Sequence, residues 1–183
     1  FGYLGPACCT PWEGVRVLGT PNVVPGPATH GRFFGSGGVI EYAKTGVMSL
    51  SGGCIGTDNG MTFNNNGTGV FFGIFSQHGG SYDLLYISSL RNTNFNTTDY
   101  KRAVESPLGW NMKCHVLVSS YQGSNELLSI NQCNFQNTVW NERRTRCGIL
   151  TFDSEQYISY NKFSNFESAI YSFNLFGSLS AIT

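Results

Sequence analysis

Three histidines, His30, His78 and His115, and eleven acidic residues are the groups in this chain that could move a proton. Hydrolysis by a serine nucleophile needs the hydroxyl on a tight turn with an imidazole in reach. The segment Phe34-Gly35-Ser36-Gly37-Gly38 has the glycine-rich turn, but no Gly-Asp precedes the serine, and only His30 lies upstream of it. Gly52-Gly53-Cys54-Ile55-Gly56 is equally short of a cysteine-protease loop. Both read as glycine-rich turns of a β-protein. His115 follows Cys114 on a strand, where successive side chains face opposite ways, so the two cannot work as base and nucleophile. His78, before Gly79-Gly80, reads as a loop residue, and the acids do not cluster as a glycosidase pair would require. Phosphate-binding glycine loops are absent. Catalytic residues, cofactors and metals are therefore not expected, and the reading is of a protein that is not an enzyme.

Recognition chemistry remains. Trp12, Trp110 and Trp140 lie beside polar or turn residues rather than inside apolar runs, and Tyr121 precedes Gln122-Gly123-Ser124-Asn125. Exposed rings flanked by amides and hydroxyls suit either a sugar or a protein hot spot. Trp110, Tyr121, Asn125, Trp140 and Arg143 are the candidate contact residues. Arg143 belongs to Glu142-Arg143-Arg144-Thr145-Arg146, the one basic cluster, which reads as a solvated loop.

The elements that must position these residues follow from composition. The chain has 183 residues, of which 40% are hydrophobic and 14% aromatic but only 12% charged, so solubility rests on its 17 Asn, its 33 Ser plus Thr and its 23 Gly. Eleven basic residues balance eleven acidic ones, which argues against a nucleic-acid partner. No apolar stretch approaches the length of a spanning helix. One domain over residues 1–183 is expected, with the proline-rich segment 1–31 as an extended arm packed on it.

Six cysteines, Cys8, Cys9, Cys54, Cys114, Cys133 and Cys147, are even in number and lack metal-ligand spacing, which predicts disulfides in an oxidising compartment. Sequons at Asn66-Gly67-Thr68 and Asn96-Thr97-Thr98 fall at turn-like strings, where glycans would fit. The absence of an initial Met and of a leader suggests a mature or excised piece. Short apolar or alternating runs predict strands at Val39 to Tyr42, Val47 to Leu50, Val70 to Phe75, Leu84 to Leu90, Met112 to Tyr121, Glu126 to Ile130, Cys147 to Phe152, Gln156 to Tyr160 and Ala169 to Phe176. In Lys113 to Tyr121 the even set Cys114, Val116 and Val118 is expected to face inward. A two-turn helix is possible over Thr98 to Glu105. Turn signals such as Asp58-Asn59-Gly60 and Asn66-Gly67 read as hairpins, and no internal repeat is apparent, so the expected fold is an all-β antiparallel sandwich or jelly roll with little helix.

In composition the chain resembles receptor-binding domains of viral surface glycoproteins. Cys114-His115-Val116-Leu117-Val118, followed by Ser124-Asn125-Glu126-Leu127-Leu128, is similar to a stretch in the lectin domain of coronavirus haemagglutinin-esterases. The esterase Gly-Asp-Ser is missing, so the resemblance implies binding without hydrolysis; spike domains with a galectin-like sandwich look similar in composition. The expected function is attachment of a virus or secreted assembly to a host cell-surface glycan or protein receptor, outside the cell or on the virion surface. The alternatives are an oligomeric spike or fibre-head module and a small secreted hydrolase.

Overall fold

A computed structural model gives the architecture, and it describes residues 2–5, 11–21, 23, 26–73, 75–76, 88–98, 114–119, 121–122, 128–138, 147–154 and 156–173. The chain is a parallel β-solenoid. Among the described residues every paired strand runs in the same direction as its neighbours, in three sheets that enclose one interior and one further two-stranded sheet. Each complete coil crosses the sheets in the same order. The first coil supplies β1 (Tyr3–Leu4) and β2 (Val15–Leu18). The second is β3 (Arg32–Ser36), β4 (Val39–Glu41) and β5 (Thr45–Leu50), and the third is β6 (Cys54–Asp58), β7 (Thr62–Asn64) and β8 (Thr68–Phe72). A short β9 (Phe75–Ser76) precedes the fourth, formed by β10 (Ser88–Arg91), β11 (Asn94–Thr97) and β12 (Cys114–Ser119). After β13 (Tyr121–Gln122), which pairs with β9, the fifth is β14 (Leu128–Asn131), β15 (Asn134–Asn137) and β16 (Cys147–Phe152). The sixth is β17 (Tyr157–Ser159), β18 (Lys162–Ser164) and β19 (Ser168–Phe173). Sheet 1 is β17-β14-β10-β6-β3, sheet 2 is β1-β4-β7-β11-β15-β18, and sheet 3 is β19-β16-β12-β8-β5-β2.

This overturns the expected antiparallel sandwich or jelly roll. Asp58-Asn59-Gly60 and Asn66-Gly67 do not fold the chain back on itself. They turn it from one sheet into the next, so the following strand meets its partner one coil away and in parallel. The chain also repeats, against expectation. In-register partners lie 23 residues apart at Glu41 and Asn64, 40 apart at Ser89 and Ser129, and 28 apart at Asn131 and Ser159. Coils of such unequal length share no fixed period.

The interior is built from columns of like side chains. Ile40, Phe63, Phe95, Phe135 and Phe163 stand in register on sheet 2, and Val47, Val70, Val116, Ile149 and Ile170 on sheet 3. Consecutive phenyl rings stack nearly parallel, with centroids 5.1, 4.7 and 4.8 Å apart along Phe63, Phe95, Phe135 and Phe163. Such pairs contribute about 0.5–1.5 kcal/mol each beyond burial. Residues with left-handed backbone mark the corners: Gly37, Asn59, Asn92, Gln132 and Tyr160 between sheets 1 and 2, and Tyr42, Asn65 and Asn165 between sheets 2 and 3. Gly and Asn tolerate this conformation best, which accounts for their abundance here.

Asparagine side chains close corners by standing in for backbone. The Asn66 amide donates to Ile40 O and accepts from Ala43 N, and the Asn161 amide donates to Ile130 O and accepts from Cys133 N. Each thereby satisfies two buried main-chain groups of the coil before it.

The inward and outward assignment on β12 also changes. Val116 and Val118 face the interior as expected, but Cys114 does not. It packs with Leu117, Cys147 and Leu150, against Phe71 and Phe152, in a second cluster outside the main core. His115 turns inward beside Phe95, Phe135 and Phe166, so alternation is broken where the strand leaves the corner. The expected arm is partly woven into the solenoid, β1 pairing with β4 and β2 with β5. Most of the helix expected over Thr98 to Glu105 falls outside the described residues.

Candidate functional site

The expected disulfides are not formed among the described cysteines. Cys54, Cys114, Cys133 and Cys147 are buried and none of them is in a disulfide, while Cys8 and Cys9 lie outside the described residues. The sulfur chemistry is that of small apolar residues in a packed repeat. Cys114 and Cys147 are register neighbours on β12 and β16, and the Cys147 thiol donates to Ile149 O. The Cys133 thiol donates toward both Leu90 O and Asn131 O, each 3.3 Å away. Burial pushes the Cys133 thiol up to about 11 and the Cys147 thiol up to about 12, and burial also raises Cys114 and Cys54.

Among the described residues those considered for catalysis are dispersed, and His78 lies outside the described residues. Ser36 Oγ accepts a hydrogen bond from Asn59 Nδ2 at 2.9 Å, whereas His30 is buried with Nδ1 against Thr29 Oγ1. His115 is held among rings, and burial pushes it down to about 3. Among the described residues no group of three or more His, Cys, Asp or Glu side chains could hold a metal ion.

Of the candidate contact residues, Trp110, Asn125, Trp140 and Arg143 lie outside the described residues, and for Tyr121 only the backbone is described, in β13 beside Phe75 of β9. Their anchors are nonetheless placed. Trp110 lies between β11 and β12, and Trp140 and Arg143 lie between β15 and β16. Thr97 and Asn137, where those two segments leave sheet 2, are register neighbours. Cys114 and Cys147, where they enter sheet 3, are register neighbours as well. Two insertions carrying tryptophan therefore share one corner on consecutive coils.

The sequon asparagines sit differently from one another. Asn66 is buried with its amide committed to Ile40 and Ala43, and Asn96 is half-buried on the outer face of sheet 2 between Asn64 and Gln136.

Sequence reasoning passed over the opposite corner. There Gln132, Cys133, Asn134, Tyr160 and Lys162 line an open groove of about 520 Å³ between coils five and six. Tyr160 is 79% exposed. The signal that could have found it is an aromatic at a corner whose equivalents are Gly37, Asn59, Asn92 and Gln132.

The fold and these surfaces define a class, a parallel three-sheet β-solenoid with insertions at its corners. Set beside protein-family models, curated proteins and solved structures, the chain matches none of them.

Proposed function

We propose that this solenoid is an extracellular attachment scaffold. It holds the segments around Trp110 and around Trp140 and Arg143 against a host cell-surface receptor, on behalf of a virus or a secreted assembly. The observation that carries this reading is the shared anchoring of the two insertions at Thr97/Asn137 and Cys114/Cys147. A repeat whose interior is settled by stacked Phe and Val columns can lengthen its corners without disturbing the core, and binding residues belong on such loops. The virus-borne form of the reading rests on the string shared with the haemagglutinin-esterase lectin domain. The galectin-like shape is no part of it. Non-enzymatic action and the absence of a nucleic-acid partner belong to the same reading and are supported by dispersed histidines and balanced charge.

The test replaces residues 99–112 and 139–146 with a tight connection like the one through Asn65-Asn66-Gly67. Binding of the chain, displayed in several copies, is then measured on receptor-bearing cells and on a glycan array. Loss of binding with an unchanged far-ultraviolet spectrum supports the reading. Absence of binding by the unaltered chain, or its survival after shortening, overturns it.

One observation favours assembly as a second reading. The sheets end in exposed Leu18 and Phe34 on the first coils and in exposed Tyr157 and Phe173 on the last. A further copy stacked on either end would place these exposed apolar side chains of the first and last coils against one another. Light scattering at micromolar concentration decides it: a concentration-dependent rise in mass supports assembly, and a strict monomer rules it out.

A further inference from the structure

We propose that the groove lined by Gln132, Asn134, Tyr160 and Lys162 binds the carboxylated residue of a saccharide. This site lies at the corner between sheets 1 and 2, away from the insertions that the attachment reading uses, and is argued from different residues.

Tyr160 is the starting point. Its backbone is left-handed, with φ of 54°, a conformation unfavourable for a bulky side chain, and its ring is 79% exposed. The ring at this corner therefore lacks a packing reason, and coils two to five manage the same corner with Gly37, Asn59, Asn92 and Gln132. An unfavourable backbone state kept for a side chain that faces water points to a use at the surface. Lys162 stands two residues on, at the end of the column Val39, Thr62, Asn94 and Asn134, and it is the only cation in that column. No carboxylate among the described residues pairs with its ammonium. Gln132 and Asn134 add amides from the coil below, and Cys133 forms part of the groove lining. The volume falls within the ~300–1,000 Å³ range of ligand clefts.

Each part matches one feature of an acidic sugar. The phenol ring offers a face to the apolar C–H face of the pyranose, the two amides can donate to and accept from its hydroxyls, and the ammonium meets the carboxylate. A neutral apolar ligand would leave the lysine and both amides without partners.

The test uses the whole 183-residue chain with two probes, a glucuronate-terminated disaccharide and sialyllactose. Each is compared with an uncharged counterpart, the methyl ester and lactose, by ligand-observed NMR titration. Binding by at least one acid is expected with a Kd of about 1 mM, weak because the groove is open. The counterparts should bind about tenfold more weakly or worse, and the better acid identifies the sugar type. The variants Tyr160→Asn and Lys162→Thr copy residues already present at equivalent positions in other coils, so both should fold, and each should weaken binding by about tenfold. Shortening segments 99–112 and 139–146 should leave this binding intact, which separates its failure from that of the attachment reading. The proposal is overturned if neither acid binds, if both variants bind as the parent does, or if an acidic peptide binds as well as the sugars. It is overturned equally if Tyr160→Asn prevents folding, since the ring would then be structural.

Discussion

The ring of Phe163 lies against the backbone of Gly148, so closely that a β-carbon built on the glycine would come within 2.6 Å of the ring. Gly46 stands in the same relation to Phe63, and Gly69 to Phe95. In each case a Phe of one coil covers a glycine of the coil before it. Gly148→Ala should therefore destabilise by about 1–3 kcal/mol, the usual cost of overpacking a tight core. Chemical denaturation should show the lower midpoint. Double substitution with Phe163→Leu should recover only part of the loss, because the smaller side chain removes the ring contact while the Ala169 carbonyl oxygen, 2.7 Å from the same β-carbon position, stays; equal loss in the single and double variants would show that the ring is not what the glycine accommodates.

Much of the strand inventory was legible in short apolar or alternating runs: the runs Val47 to Leu50 and Cys147 to Phe152 fall in strands, and the runs Val70 to Phe75 and Met112 to Tyr121 overlap β8 and β12. The direction of pairing was not legible. A period of two tells which side chains face inward, and it is the same whether the neighbour runs parallel or antiparallel. The repeat was present as Thr62-Phe63-Asn64-Asn65, Asn94-Phe95-Asn96-Thr97, Asn134-Phe135-Gln136-Asn137 and Lys162-Phe163-Ser164-Asn165. Insertions of different length between these strings hid it from any search for a constant interval. An even cysteine count misled for a related reason: in a solenoid, Cys is one more small residue that fits a buried column. The tryptophan-bearing segments stand out in the sequence as aromatic strings flanked by polar residues, and they lie outside the described residues. The groove at Tyr160 does not stand out there, because its partners Gln132 and Asn134 are neighbours only through coil stacking.

The corner asparagines should matter more than their polarity suggests. Asn161→Ala leaves Cys133 N and Ile130 O, both now bonded at 2.8 and 2.9 Å, without partners in a partly buried place. Unsatisfied buried groups cost about 1–3 kcal/mol each, so a fall of about 2–6 kcal/mol is expected for the two. Asn66→Ala should behave alike through Ala43 N and Ile40 O. Asn96→Ala, on the outer face, should change stability by less than about 0.5 kcal/mol. Denaturant midpoints check all three, and a fall for Asn96→Ala as large as for Asn161→Ala would refute the corner role.

The thiols give a chemical check on the corrected reading. Raising Cys133 from an ordinary 9.0 to about 11 lowers its thiolate fraction near pH 8 by about a hundredfold, before access is considered. In the native protein Cys54, Cys114, Cys133 and Cys147 should resist iodoacetamide, and in denaturant without reductant all four should be labelled. Peptide mapping distinguishes the outcomes: any of the four that needs reductant before labelling is in a disulfide, and the packing described for it is then incorrect.

Acid should unfold the protein partly through His115. Its ring is enclosed by Phe95, Phe135 and Phe166, and its Nε2 has no hydrogen-bond partner among the described residues. Burial holds its folded pKa near 3, against 6.5 in the unfolded chain. Below pH 6.5 the unfolded state therefore binds a proton that the folded state refuses. The stability present above 6.5 is lost as pH falls toward 3, at up to about 1.4 kcal/mol per pH unit. His30 is also lowered by burial, and Glu13 and Asp58 are lowered by hydrogen bonds from Lys44 and from Asn59 N, so each adds its own pH dependence and the parent profile alone does not isolate His115. The variant His115→Phe does. It keeps a ring in the aromatic stack and removes the unpaired nitrogen, so its advantage over the parent should be small at pH 7.5 and should widen steadily between pH 6 and pH 4. Parallel curves for the two proteins across that interval would mean that His115 takes up its proton in the folded state as readily as in the unfolded one.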